Sequence, residues 1–126
     1  MDMTLFDECK ELLKADFKVM EGDDLSMAMD IFHLYPWHGG NLRWSEMDFS
    51  DHEITHEMFN GRDLGCETIF VIADDAGVPV FRTNLGLVVN NFYDIIALSP
   101  KSFIFNDKLI IEPLFPHDII RLGLRK

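Results

Sequence analysis

The sequence predicts an α+β fold: an antiparallel or mixed β-sheet with two or three helices packed on it, in a single domain spanning residues 1–126. Three observations predict it. The chain has 126 residues, enough for one hydrophobic core but not two. Apolar residues make up 48% of it, including 11 Phe, 2 Trp and 2 Tyr, so it can bury enough surface to offset chain entropy. Those apolar residues recur at helical spacing in some segments and as short β-rich runs in others.

The elements follow in order. Residues 4–16 read as a helix capped by Thr4, with Asp7 three positions on as in a capping box. Leu5, Cys9, Leu12, Leu13 and Phe6 would form its apolar stripe. Phe17 to Glu21 alternates like a short strand. Gly22-Asp23-Asp24 breaks the chain, and Asp24 would cap a second helix with Leu25, Ala28, Met29 and Phe32 on one face. Tyr35 to Gly40 is a loop, with Gly39-Gly40 a turn signal rather than a phosphate cradle. Asn41 to Trp44 reads as a strand. Residues 45–66 are the least regular stretch and read as a surface excursion with at most a helical turn. Thr68 to Ala73 is a β-rich run, Asp74 to Gly77 a turn, and Val78 to Arg82 a second strand, held to an edge or a strand start by Pro79. Asn84 would cap one helix running to about Leu98, ended by Pro100. Phe103 to Phe105 and Leu109 to Glu112 form a hairpin around Asn106-Asp107, and Asp118 to Leu124 is the last strand.

Composition excludes several function classes. No apolar run approaches the ~18 residues that a membrane span needs, and the acidic start, Met1 to Glu8, does not read as a secretory signal. Cys9 and Cys66 have no C-x-x-C spacing and read as reduced thiols of a cytosolic protein. The net charge is 11 − 22 = −11. From Val19 to Gly61 there are nine acids (Glu21, Asp23, Asp24, Asp30, Glu46, Asp48, Asp51, Glu53 and Glu57) against the single base Arg43, or −8. From Ala76 to Lys126 four acids face six bases, or +2. Such a field repels nucleic acid and suits a basic protein partner steered in by charge. Acidity that serves only solubility is the simpler alternative. Trp37 and Trp44 flank the Gly-rich loop beside the acidic tract. They are core residues by default, and binding anchors if partly exposed.

The sharpest catalytic motif is His52-Glu53-Ile54-Thr55-His56, which matches H-E-x-x-H. On a helix, His52 and His56 would share a face and hold zinc, with Glu53 as general base. The surroundings oppose it. Asp51 and Glu57 flank the motif, Phe59 and Arg62 stand where the extended form needs Gly and His, and no third ligand stands out among Glu46, Glu67 and His117. A small zinc hydrolase is therefore the alternative reading, and two incidental His in a solvated acidic segment the main one. Glu112 reads as satisfying a local hydrogen bond or salt bridge rather than acting as a base. There is no G-x-S-x-G, P-loop or G-x-G-x-x-G, and no cofactor is implied.

The C-terminal half has a recognisable cadence. Phe70 to Val80 is followed by Leu85-Gly86-Leu87-Val88-Val89 and Tyr93-Asp94-Ile95-Ile96-Ala97-Leu98-Ser99-Pro100, then by Leu109-Ile110-Ile111-Glu112-Pro113 and Ile119-Ile120-Arg121-Leu122-Gly123. Across roughly residues 68–124 this resembles the immunity proteins of bacterial contact-dependent growth inhibition systems. The N-terminal part matches through a Tyr-Pro and a later Trp. The resemblance implies a protein that binds and blocks, in the cytosol, the toxic C-terminal domain of its own system's effector, commonly a nuclease with a basic substrate-binding surface. It implies no catalytic residues. From charge, the expected toxin contacts are Asp23, Asp24, Glu46, Asp48, Asp51, Glu53 and Glu57, with Trp37, Trp44 and Phe49 as apolar anchors. A regulatory domain with another basic partner is a further alternative.

Overall fold

The apolar runs of the C-terminal half are continuous rather than alternating, and a strand reads that way when both of its faces are covered. The computed structural model, which describes residues 4–53, 67–99, 101–114 and 119–125, gives the reason. Seven strands form one sheet: β1 (Lys18–Val19), β4 (Asp48–Glu53), β5 (Thr68–Ala73), β6 (Phe81–Asn84), β7 (Ser102–Phe105), β8 (Leu109–Pro113) and β9 (Ile119–Leu124). Their spatial order is β1-β6-β5-β7-β8-β9-β4, and each pairing is antiparallel. A separate hairpin joins β2 (Trp37–His38) to β3 (Asn41–Leu42). Its turn is Gly39-Gly40 with φ of 59° and 82°, the two positive values that a tight two-residue hairpin turn requires.

Both faces of the sheet carry a layer. On one face, Ile69, Val71, Phe81, Ile104, Ile111, Ile120 and Leu122 meet Cys9 and Leu13 of α1 (Leu5–Leu12 with its cap). They also meet Leu85, Val88 and Val89 of α3 (Leu85–Asn90), and Phe92 and Ile95 of α4 (Phe92–Ile96). On the other face, Phe70, Phe103, Phe105 and Ile110 meet α2 (Gly22–Phe32), the small hairpin and the 3-10 turn Trp44–Glu46. The predicted α+β class is therefore correct, with four helices among the described residues instead of the two or three expected.

Local chemistry explains where the elements begin and end. The Thr4 hydroxyl accepts from the Asp7 N–H at 3.0 Å and the Asp7 carboxylate accepts from the Thr4 N–H at 3.2 Å, so the capping box forms as expected. Asn84 caps α3 by accepting the Leu87 N–H at 2.9 Å. Asn106 organises the β7–β8 hairpin: its side-chain oxygen accepts the N–H groups of Lys108 and Leu109, and its amide donates to Glu67 and to the Thr68 carbonyl.

Several boundaries differ from the sequence reading. Helix α1 stops at Leu12 instead of running to residue 16, and Leu5 and Leu12 of the expected apolar stripe face solvent. Helix α2 starts at Gly22, where φ is +55°, a conformation open to glycine. Asp24 is thus no cap, and bonds Lys18 at 2.8 Å. The single helix expected from Asn84 to Leu98 is two, because the Asn91 side chain donates to the Leu87 carbonyl at 2.9 Å, an amide competing with the backbone. Strand β6 begins at Phe81 rather than Val78. The largest correction is Asp48–Glu53, read as part of an irregular excursion and found as a six-residue strand paired along its length with β9. The rest of that excursion (residues 54–66, including His56, Glu57 and Cys66) and Pro100, Pro116, His117 and Asp118 lie outside the described residues.

Candidate partner-binding surface

Among the described residues, strand β4 is the last strand on its side of the sheet, paired with β9. Its side chains alternate between faces. Asp48, Ser50 and His52 stand opposite Leu124, Leu122 and Ile120, while Phe49, Asp51 and Glu53 stand opposite Gly123, Arg121 and Ile119. All six are exposed except His52, which is half-buried.

The second of these faces carries a built cluster. Arg121 meets Asp51 with both arms of its guanidinium, Nε to Oδ1 at 2.7 Å and Nη2 to Oδ2 at 3.0 Å. The fork geometry matches a carboxylate and strengthens the pair. The same guanidinium lies 4.9 Å from the Phe49 ring centre and 5.6 Å from that of Trp44, within cation–π range of both. The two rings are 6.0 Å apart. Trp44 can lie this close to the sheet because the strand beneath it is glycine: a Cβ on Gly123 would sit 2.7 Å from the indole Cζ3.

Charge alternates across this face. Glu112 of β8 is opposite Arg121, which is opposite Asp51. The bond from Arg121 holds the Asp51 carboxyl below its usual range, and the Asp51 partner pushes the Arg121 guanidinium up. Burial raises the Glu112 carboxyl, against the pull of Lys101, the Trp44 indole and Arg121. Glu112 therefore sits in the local charge network expected of it.

The expected contact residues divide into two groups. Trp44, Glu46, Asp48, Phe49, Asp51 and Glu53 come together on β4 and the turn before it. Glu46 is 3.8 Å from Arg43, with both side chains more than half exposed. Asp23 and Asp24 are not with them. They begin α2 beside β1, six inter-strand spacings away, or roughly 29 Å at ~4.8 Å per strand. Trp37 lies between the groups, half-buried, 4.3 Å from the Phe32 ring and 5.0 Å from Phe103, with its indole N–H donating to the Phe32 carbonyl at 2.7 Å. Among the described residues, the expected acidic contacts are thus split between the β1 and β4 sides of the sheet rather than forming one patch.

The zinc alternative loses its helix. His52 and Glu53 lie on a strand and point to opposite faces, and the His52 ring is 2.7 Å from the Ser50 hydroxyl. Among the described residues, no group of three or more His, Cys, Asp and Glu could hold a metal ion. The buried Cys9 thiol is pushed up to about 11 by desolvation, which leaves it little thiolate. Sequence reasoning missed Arg121 and Gly123 as members of this surface, having followed acids and aromatic anchors. The available signal was period two on the last strand, where Ile120 and Leu122 are buried and Arg121 takes the other face.

No helix is long and apolar enough to cross a membrane among the described residues. No curated protein matches the chain. The family model for the CdiI immunity protein, EcoliA0-like, matches residues 3–123, and so extends the resemblance seen at residues 68–124 back through the N-terminal half. The chain belongs to that family of contact-dependent growth inhibition immunity proteins, whose role is to neutralise a toxin.

Proposed function

We propose that the protein acts in the cytosol by binding the toxic C-terminal domain of its own system's effector, a nuclease with a basic surface, through the edge formed by β4 and the turn before it. The observation that carries this reading is the cluster on that edge: four carboxylates, Glu46, Asp48, Asp51 and Glu53, beside the exposed Phe49 and half-buried Trp44. Carboxylates steer a basic partner and raise the association rate, and aromatic anchors, once desolvated, slow release. The Arg121 clamp holds Asp51, Phe49 and Trp44 in place before the partner arrives, which reduces the ordering cost of binding. A standard interface covers roughly 800 Å² per partner, so one centred on Trp44 reaches the Trp37 region, while Asp23 and Asp24 add to the steering field. The protein makes and breaks no bonds in this role. The toxin is inhibited by occlusion, with acidic side chains lying where the nucleic-acid phosphates would run.

The test is binding to the toxin domain encoded beside this gene, together with rescue of growth on co-expression. Reversing Glu46, Asp48 and Glu53 to Lys should slow association about tenfold at low salt, with the difference fading as salt screens the field. Salt-independent kinetics that are unchanged by the reversal would overturn the acidic-surface mechanism, and absence of binding would overturn the toxin partner itself.

A further inference from the structure

The face that carries the Arg121 clamp also holds a cavity of about 490 Å³ between the C-terminal end of α2, the β2–β3 hairpin and the ends of β5 and β7. Phe32, Trp37, Ile72 and Phe103 supply its apolar lining, and Asp74 and Lys101 stand at its polar end. Ile72 and Phe103 are cross-strand partners. Phe103 is on the strand next to Glu112, which is opposite Arg121. The cavity floor is thus two strands, or roughly 10 Å, from the clamp, and both fall inside one interface of ordinary size.

We propose that this cavity is a second anchoring socket for the toxin domain, taking a bulky apolar side chain that is flanked in the toxin by a Lys or Arg. The inference rests on the toxin-binding reading above. Two features select this occupant. First, two donors of the lining, the Trp37 indole and the Lys101 ammonium, are already engaged, which leaves the His33 ring and the Asp74 carboxylate as its other polar side chains. The Trp37 indole N–H donates to the Phe32 carbonyl, and the Lys101 ammonium donates to the Gly40 carbonyl at 3.2 Å and to Asn41 Oδ1 at 3.3 Å. A small polar ligand needs convergent free donors and acceptors, whereas an apolar side chain needs only the aromatic walls. Second, the ring of charge around the socket favours a cation. Asp74 at the rim enters no ion pair among the described residues, Glu112 one strand beyond the floor feels Lys101 and Arg121 without a salt bridge to either, and the nearby cation, Lys101, is tied to the hairpin. An apolar side chain seated against Phe103 brings its basic neighbour to these carboxylates. That matches the basic surface which a chain of net charge −11 attracts.

Ile72 is half-buried and Asp74 exposed, so both can be changed with limited effect on the fold. The experiment measures dissociation of the neighbouring-gene toxin domain from the wild type, from Ile72→Trp, which fills the socket, and from Asp74→Lys, which reverses its rim. It also follows Trp37 emission on binding in a Trp44→Phe background. The expected result is dissociation at least tenfold faster for Ile72→Trp, several-fold faster for Asp74→Lys, and a shift of Trp37 emission when toxin is added. Wild-type binding with both variants within twofold of it and with unmoved Trp37 emission overturns the socket and leaves the toxin reading standing. No wild-type binding overturns both. If Ile72→Trp fails to fold by circular dichroism, Asp74→Lys and the Trp37 emission decide the matter.

Discussion

Gly123→Ala offers a direct measure of how Trp44 is held. The added Cβ would lie 2.7 Å from Trp44 Cζ3, 3.3 Å from Cε3 and 3.1 Å from the Met47 methyl. Carbon atoms pack best at ~3.5–4.0 Å, so the indole must retreat by roughly 1 Å. Inserting a methyl into a packed site costs about 1–3 kcal/mol. Against this stand about 0.8 kcal/mol for burying the methyl and about 0.5 kcal/mol for replacing glycine within a strand. The expected net loss is about 1 kcal/mol, or a fall in Tm of roughly 4 °C for a domain of this size. With Trp44→Ala already in place the main clash is gone, the flexible end of Met47 can give way, and the favourable terms dominate. Gly123→Ala should then stabilise by about 1 kcal/mol, a coupling of about 2 kcal/mol between the two positions. Urea denaturation followed by far-UV circular dichroism on the wild type, both single variants and the double variant measures it without relying on tryptophan emission. Additivity within about 0.5 kcal/mol would refute the claim that the indole rests on Gly123.

Two further outcomes follow from the polar groups. Burial raises the Glu112 carboxyl above its ordinary 4.5, so the folded state holds that proton at pH values where the unfolded chain has released it. Its contribution to stability therefore falls as pH rises from about 4.5 through the raised value. Glu112→Gln should be more stable than the wild type at neutral pH, with the gap closing toward pH 4.5, as followed by Tm against pH; a gap that widens on acidification would contradict this. Asn106 is 5% exposed and makes four side-chain hydrogen bonds. Asn106→Ala should cost about 2–4 kcal/mol because it strands two backbone N–H groups and removes a donor from the part-buried Thr68 carbonyl. A loss under 1 kcal/mol by urea denaturation would show that water replaces the amide.

Much of the fold was legible in the sequence where a residue's local chemistry and its tertiary role agree. The Thr4 capping box, the Asn84 cap, the Gly39-Gly40 turn and the Asn106 hairpin all satisfy nearby backbone groups, and a reading of neighbours in sequence suffices for them. The helix from Asn84 was misjudged because its apolar spacing runs unbroken through Asn91. The break comes from one side-chain amide reaching the Leu87 carbonyl, an option that the spacing of apolar residues does not encode. Leu5 and Leu12 have the right spacing for a core stripe, yet α1 meets the sheet through Cys9 and Leu13, and only packing decides which side of a short helix is buried.

Strand β4 was misread for a deeper reason. A strand announces itself by apolar alternation only when one of its faces is covered and the other wet, or by an apolar run when both are covered. Strand β4 lies beyond both cores. On the α1 side the buried residues end at Ile120 and Leu122, and on the α2 side the apolar layer ends at Met47 and Trp44. Asp-Phe-Ser-Asp-His-Glu therefore shows neither pattern, although each residue has a β9 partner. Strands at sheet edges are commonly guarded against stray pairing by charge, and the three carboxylates of β4 fit that role. On the proposed reading, the same charges that keep the edge from pairing with another strand would also draw a basic protein to it. The acidity that hid the strand in the sequence is thus the feature on which the proposed toxin contact rests.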